Sequence, residues 1–340
     1  MLGRERLIAA VRGEPTDRVP VAQQNFPFAV HHAGLSMREY RENPDKAAQA
    51  LADTAYDFGY DCAIIDFDDC TIAEAMGAGI DQVGEEVARV SRPAVTSLRD
   101  VPGLPLPDPR RDGRLPLWVE TTRLLRQKVG DEIAIMGRAD QGPFGVAFLL
   151  EDTEQFLMDL LVEDEEVVHA AIKHCMHAGV AFARAQLEAG ADLTAIGDSV
   201  AGQSVVSPDV YRRFAQPYER RYKELLGDGW LSLHICGKSA QIITDMVNTG
   251  AEVLELDHFN NLPDVFRVVG HSVSIWGNID PSAVLFQGTP ETVLDACRHA
   301  IHAAREAKAR FVLCPGCTIG STTSPENVRA MSQAAREIQL

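Results

Sequence analysis

The sequence predicts an α/β protein, a single (β/α)8 TIM barrel spanning residues 1–340, and three observations carry that prediction. Eight short runs rich in Val, Ile and Leu recur along the chain, helical patterns fill the intervals, and polar residues gather where the runs end. Runs joined by crossovers of a dozen or more residues pair in parallel. Eight of them close a barrel whose active site is built at the carboxyl ends of its strands.

The runs are residues 19–22, 62–67, 133–139, 193–197, 230–236, 252–257, 273–278 and 311–314. Ahead of the first, residues 4–12 read as an extra helix, so residues 1–18 are expected to form an amino-terminal helical extension that plugs or flanks the barrel bottom. Asn43 before Pro44 is a cap followed by proline at the first helical position, opening an amphipathic helix to Phe58. The rhythm breaks between the second and third runs. There, about residues 78–116, an alternating stretch at 83–90 and a proline-rich turn at 102–109 predict an inserted β-hairpin arm over one mouth of the barrel. Residues 164–189 read as one long helix ending at Gly190, and residues 289–308 as another. Residues 208–226 are helical in pattern with a kink expected at Pro217, which lacks an N–H and crowds the preceding turn. Ser324-Pro325-Glu326 repeats the cap-and-proline device before the last helix.

With 46% apolar residues the chain has ample material for a core. Its net charge of −17, from 49 acidic and 32 basic residues, argues against nucleic acid or an anionic membrane as partner. The charged start from Met1 to Leu7 is unlike a secretory signal and no apolar segment reaches spanning length, so a soluble cytoplasmic protein is expected. Seven cysteines, an odd number without small-domain spacing, fit reduced thiols. Cys62, Cys70, Cys175 and Cys297 read as core or helix-face residues.

The chemistry collects at the run ends. Asp66, Asp68 and Asp69 follow the second run, Asp140 and Gln141 the third, and Asp198 the fourth. His234 and Cys236 end the fifth, Asp257 and His258 the sixth, Asn278 and Asp280 the seventh, and Cys317 follows the eighth. Two segments stand out, His234-Ile235-Cys236-Gly237 and Cys314-Pro315-Gly316-Cys317. On a strand His234 and Cys236 project from one face, and Cys317 adds a third donor from a distant strand. Imidazole nitrogen and thiolate sulfur suit zinc, and three protein ligands with one free position describe a catalytic rather than a structural ion. If Cys314 joins them, a closed Cys3His site or a Cys314/Cys317 redox pair is the alternative. Asp257 reads either as a cap for a helix from Asn260 onward or as a carboxylate completing the metal's coordination. Asp198 either caps the helix after it or hydrogen-bonds a bound cofactor, and Asn278 and Gln141 are expected cofactor contacts. His31, His32, His299 and His302 read as solvated.

Several segments together resemble a known family: Arg4-Glu5-Arg6-Leu7, Glu14-Pro15-Thr16-Asp17-Arg18-Val19-Pro20, Gly142-Pro143-Phe144, Glu188-Ala189-Gly190-Ala191-Asp192, Gly277-Asn278-Ile279-Asp280-Pro281 and Pro315-Gly316-Cys317. Over nearly its whole length the chain resembles the uroporphyrinogen decarboxylase superfamily. Within it, His-x-Cys-Gly with a distant Pro-Gly-Cys is similar to the zinc methyltransferases of the methylcobamide:coenzyme M type, a pattern the decarboxylases proper lack. The resemblance implies His234, Cys236 and Cys317 as zinc ligands. It also implies a methylcorrinoid (cobalamin) on a corrinoid-binding partner protein, and a small methyl donor or acceptor. Cobalamin-independent methionine synthases have a similar arrangement with an acidic ligand in a segment resembling residues 251–257, which adds weight to Asp257. The decarboxylases' Arg-Gln-Ala-Gly-Arg segment is replaced here by Gln23-Gln24-Asn25-Phe26, which disfavours porphyrinogen decarboxylation. The remaining alternatives are decarboxylation of another tetrapyrrole and a non-catalytic zinc-stabilised scaffold for a corrinoid protein.

Overall fold

Eight strands grow from the eight apolar runs and hydrogen-bond in parallel, as fully buried runs rich in branched residues should. The structure, a computed structural model, describes residues 1–338. Its strands are β1 (Ala22–Gln23), β2 (Cys62–Ile65), β3 (Gly79–Asp81), β4 (Arg89–Arg92), β5 (Ala134–Gln141), β6 (Leu193–Gly197), β7 (Leu231–Ile235), β8 (Val253–Leu256), β9 (Ser274–Ile279) and β10 (Phe311–Pro315). The large sheet runs β1-β2-β5-β6-β7-β8-β9-β10, and β3 pairs antiparallel with β4. A parallel bridge from Val21 to Leu313, with the Leu313 N–H donating to the Pro20 carbonyl at 2.9 Å, joins the first strand to the last. The molecule is a (β/α)8 barrel.

Alternation along each strand sorts side chains between the barrel interior and the helix layer. Ala22, Ile64, Met136, Ala195, Val253 and Trp276 form a buried apolar layer inside the barrel, against Leu7, Ala10 and Val11 of α1 (Gly3–Arg12). The first helix therefore plugs the amino-terminal end. It is anchored by Arg6, which reaches Asp17 and the buried Asp61, each at 2.6 Å. One step further along the strands the interior turns polar, and the site begins there.

The expected caps form. Asn43 accepts from the Lys46 N–H at 3.0 Å at the head of Pro44–Phe58, and Ser324 caps Pro325–Glu337. The long helices run Glu165–Glu188 and Pro290–Glu306. Three details depart from expectation. Of the first run only Ala22 joins the sheet as β1, because Pro20 just upstream has no N–H for a ladder. The alternating stretch at 83–90 is not itself a strand, since the chain turns at Gly84 (φ 56°) and pairs on either side, as β3 and β4. Glu85 in that turn accepts from the Met37 N–H at 2.7 Å, and Glu86 offers its carbonyl to Arg41, which ties the hairpin to the segment after β1. The kink expected at Pro217 is taken up one turn earlier: a π-helical stretch, Tyr211–Ala215, precedes Gln216–Leu226 and widens the turn where proline cannot donate. Among the described residues no helix is long and apolar enough to cross a membrane.

Candidate metal centre

His234 lies opposite Glu255 in the β7–β8 ladder, and its Nδ1 stands 3.1 Å from the Glu255 carbonyl. A carbonyl can only accept, so Nδ1 carries the proton and Nε2 is left as a free donor atom. That Nε2 lies 3.0 Å from the Cys236 sulfur, and the sulfurs of Cys236 and Cys317 are 3.9 Å apart. All three donor atoms fall within 4.8 Å of one another, bringing together residues from the ends of β7 and β10. Two glycines shape the turns that allow it. Gly237 takes a left-handed φ of 74°, and a Cβ there would meet the Ser204 hydroxyl at 2.6 Å. A Cβ on Gly316 would meet the His258 amide nitrogen at 2.6 Å.

The three groups are electrostatically tied. The hydrogen bond with Cys317 lowers the Cys236 pKa against the opposing effect of burial. Burial acts to lower the pKa of His234, but its contact with Cys317 prevails and raises it. Cys317 is pushed up by its bond to Cys236 and by burial. The Ser199 hydroxyl adds a hydrogen bond to the Cys236 sulfur at 3.4 Å. Cys314 stands outside the group of three donors, 1% exposed in the apolar layer inside the barrel.

Beneath His234 lies a buried ionic floor, of which the sequence reading singled out only Asp66. Arg138, 3% exposed, sits 3.2 Å from Asp66 and 3.4 Å from Glu255. The contact with Asp66 brings charges together without a well-aligned hydrogen bond, since the Arg138 Nε that faces Asp66 Oδ2 makes none. Glu255 also accepts from the Ser232 hydroxyl at 2.7 Å and from the Gln24 amide. Burial raises Asp66 to about 8 while Arg138 pulls it back. A charged residue inside an apolar strand run was the signal available, because such residues are almost never buried unless paired. The floor holds the strand whose carbonyl orients the His234 ring.

The other expected site residues divide. Asp257 is not a helix cap, since Asn261 caps Leu262–Val269. It accepts from the Gly237 N–H at 2.8 Å, lies 2.6 Å from His258 Nδ1, and stands outside the three-donor group. Asp198 is fully buried and does not cap the turn after it. Its carboxylate instead accepts from the Gly145 and Phe144 N–H groups at 2.6 and 3.4 Å, at the start of helix Pro143–Leu150. Burial raises both Asp198 and its neighbour Glu219, which accepts from the Tyr211 hydroxyl at 2.5 Å. Asn278 donates its amide to the carbonyls of Asp257 and Asn260, at 3.2 and 2.6 Å. Gln141 ends β5, and its backbone N–H donates to the Asp140 carboxylate at 2.8 Å. A cleft of about 670 Å³ beside the site is lined by His258, Asn278, Asp280, His299 and His302, and the last two are exposed, as expected.

Residues 2–338 match the uroporphyrinogen decarboxylase (URO-D) family. The chain is 30% identical over 346 residues to the methylcobamide:CoM methyltransferase MtbA of Methanosarcina acetivorans, covering 98% of this chain and 97% of that one. It is 28% identical over 356 residues to the uroporphyrinogen decarboxylase of Thermus thermophilus, covering 99% of each. Among solved structures, a methyltransferase from Methanosarcina mazei superposes with a TM-score of 0.91 at 28% identity, over 99% of both chains. A family match over nearly the whole length, on the same barrel, means that this chain belongs to the uroporphyrinogen decarboxylase (URO-D) family.

Proposed function

We propose that the chain is a zinc-dependent, corrinoid-linked methyltransferase. It moves a methyl group between a corrinoid carried by a partner protein and a small thiol, methyl ether or thioether. One observation carries the reading: an imidazole nitrogen and two thiols from distant parts of the sequence converge within 4.8 Å. The donor set fits zinc, because soft sulfur and a correctly tautomerised imidazole are its preferred ligands. When bound, the ion would supply an open position at which a thiol is held as thiolate or an ether oxygen is polarised. The relatives named as methylcobamide:CoM methyltransferases support the corrinoid half.

In this reading His234, Cys236 and Cys317 hold the metal, the Glu255 carbonyl keeps the His234 ring aligned, and Ser199 hydrogen-bonds the Cys236 thiolate. Asp257 fixes the Gly237 turn and with it the reach of Cys236. Asn278 steadies the Asp257 loop. Asp198 acts at a distance, pinning a neighbouring helix start to the end of β6.

The test is metal analysis together with methyl transfer from free methylcobalamin to a thiol. About one zinc per chain and thiol methylation are expected, with both lost in Cys236→Ser and Cys317→Ser, since removing one of three ligands severely weakens coordination. Full zinc in both variants would sink the site. Relatives named as uroporphyrinogen decarboxylases favour a second reading, tetrapyrrole decarboxylation without metal. Against it, Gln23, Gln24 and Asn25 bring no cation to the end of β1, and Arg138 is committed to Asp66 and Glu255.

A further inference from the structure

The amino-terminal face of the barrel, opposite the metal centre, holds a second cavity. Its volume is about 430 Å³, within the usual range for small-molecule sites. It lies where the end of α1 meets the joint between helix Pro290–Glu306 and β10, over an apolar floor of Ala10, Val19, Ala304 and Phe311. Arg305, Lys308 and Arg310 line it, and among the described residues Glu14 is the one carboxylate that does.

Free cations are unexpected in so acidic a chain. Nearby, Arg298 is held by Asp295 and Glu337, and Arg267 by Asp264, whereas Arg305, Lys308 and Arg310 make no ion pair among the described residues. Arg310 reaches the Val11 carbonyl at 3.5 Å. A cation at a helix's carboxyl end complements the dipole, and that accounts for Arg305 in the last turn. It does not account for Lys308. The helix closes with the Lys308 N–H on the Arg305 carbonyl at 3.0 Å and the Ala309 N–H on the Ala304 carbonyl at 2.9 Å, which puts Lys308 at a left-handed φ of 51°. Helix Glu165–Glu188 closes by the same pair of bonds, with Gly190 in that position. A side chain there costs free energy that glycine avoids, and such strain collects at ligand clamps.

We propose that this cavity binds a phosphorylated small organic molecule, with its phosphates on Arg305, Lys308 and Arg310 and its organic part over the apolar floor. Guanidinium and ammonium donors form charge-assisted hydrogen bonds to phosphate oxygens, and Thr16 adds a hydroxyl at the wall. A lone phosphate would leave most of the volume empty. The inference is independent of the metal centre, none of whose three donors lines the cavity.

The experiment is calorimetric titration of the protein with ADP, fructose bisphosphate, inorganic phosphate and adenosine. At least one of the two organic phosphates is expected to bind with a dissociation constant of about 0.1 mM or below, inorganic phosphate about tenfold more weakly, and adenosine not measurably. Arg305→Gln and Lys308→Gly should each weaken the organic phosphate about tenfold, as loss of one charge-assisted hydrogen bond should. Lys308→Gly should also raise the Tm of the unliganded protein, because it relieves the left-handed turn, which separates lost binding from lost folding. Cys236→Ser should leave the affinity unchanged. Loss of binding in that variant would put the ligand at the metal centre and overturn the proposal. So would failure of both organic phosphates to bind at about 1 mM, adenosine binding as tightly as ADP, inorganic phosphate matching the organic probes, or an affinity untouched in both cavity variants.

Discussion

Two thiols and one imidazole nitrogen, from Cys236, Cys317 and His234, lie within 4.8 Å of one another at the carboxyl ends of β7 and β10, and Cys314 is not among them. His234, Cys236 and Cys317 stand out because metal-ligating side chains are conspicuous at the ends of apolar runs. Cys314 was separable by its place inside such a run, and it lies in the barrel core. Cys314→Ser should therefore leave zinc content nearly unchanged; emptying of the site would restore the closed-sphere alternative. Arg138, Glu255 and Ser232 escaped notice because their roles arise from pairing across β5, β7 and β8, which one linear run does not display. Arg138→Ala should destabilise the fold by about 3–5 kcal/mol, since it strands Asp66 and Glu255 as buried carboxylates without a counter-charge. Urea unfolding measures this, and a loss below about 1 kcal/mol would mean that water or protonation compensates the charges.

At the scale of elements, periodicity located the barrel strands and the capped helices because those patterns are repeated by local physics over many residues. It placed the hairpin within residues 78–116 but misread where the turn falls. Alternation at 83–90 counted toward a strand, whereas the glycine at 84 with its left-handed φ made the same residues a turn. The α1 plug was foreseen in position, and its energetic weight follows from Leu7, which is 1% exposed against the interior layer. Leu7→Ala should cost about 2–5 kcal/mol, as for other buried leucines, without changing zinc content. Loss of zinc in a variant that still folds would mean that the plug and the site are coupled through the barrel interior.

For the whole molecule, buried acids set how stability responds to pH. Burial raises Asp66 to about 8 and also raises Asp198 and Glu219, from unfolded values of about 4. Across that window the folded state binds more protons than the unfolded one. These groups therefore contribute stability that is fully present below pH ~4 and is lost as pH rises through their folded pKa values. Denaturation midpoints should fall between pH 5.5 and 8.5, and Glu219→Gln, which removes one of these titrating acids, should flatten the decline. A slope unchanged in that variant would show that Glu219 does not titrate in this range. The barrel buries enough apolar surface to stand without an ion, so chelation should abolish activity while far-UV circular dichroism stays close to that of the metal-loaded protein.

The central claim is that His234, Cys236 and Cys317 hold a zinc ion with room for substrate. Zinc K-edge X-ray absorption, recorded before and after adding a thiol that calorimetry shows to be bound, tests it most directly. Two sulfur and one imidazole ligand are expected at rest, beside one light atom, from water or from Asp257 displaced out of its present contacts. On binding, a third sulfur should replace that light atom, with a proton released near neutral pH as the thiol ionises. A zinc spectrum without sulfur, or one unchanged while the thiol is bound, would contradict the account.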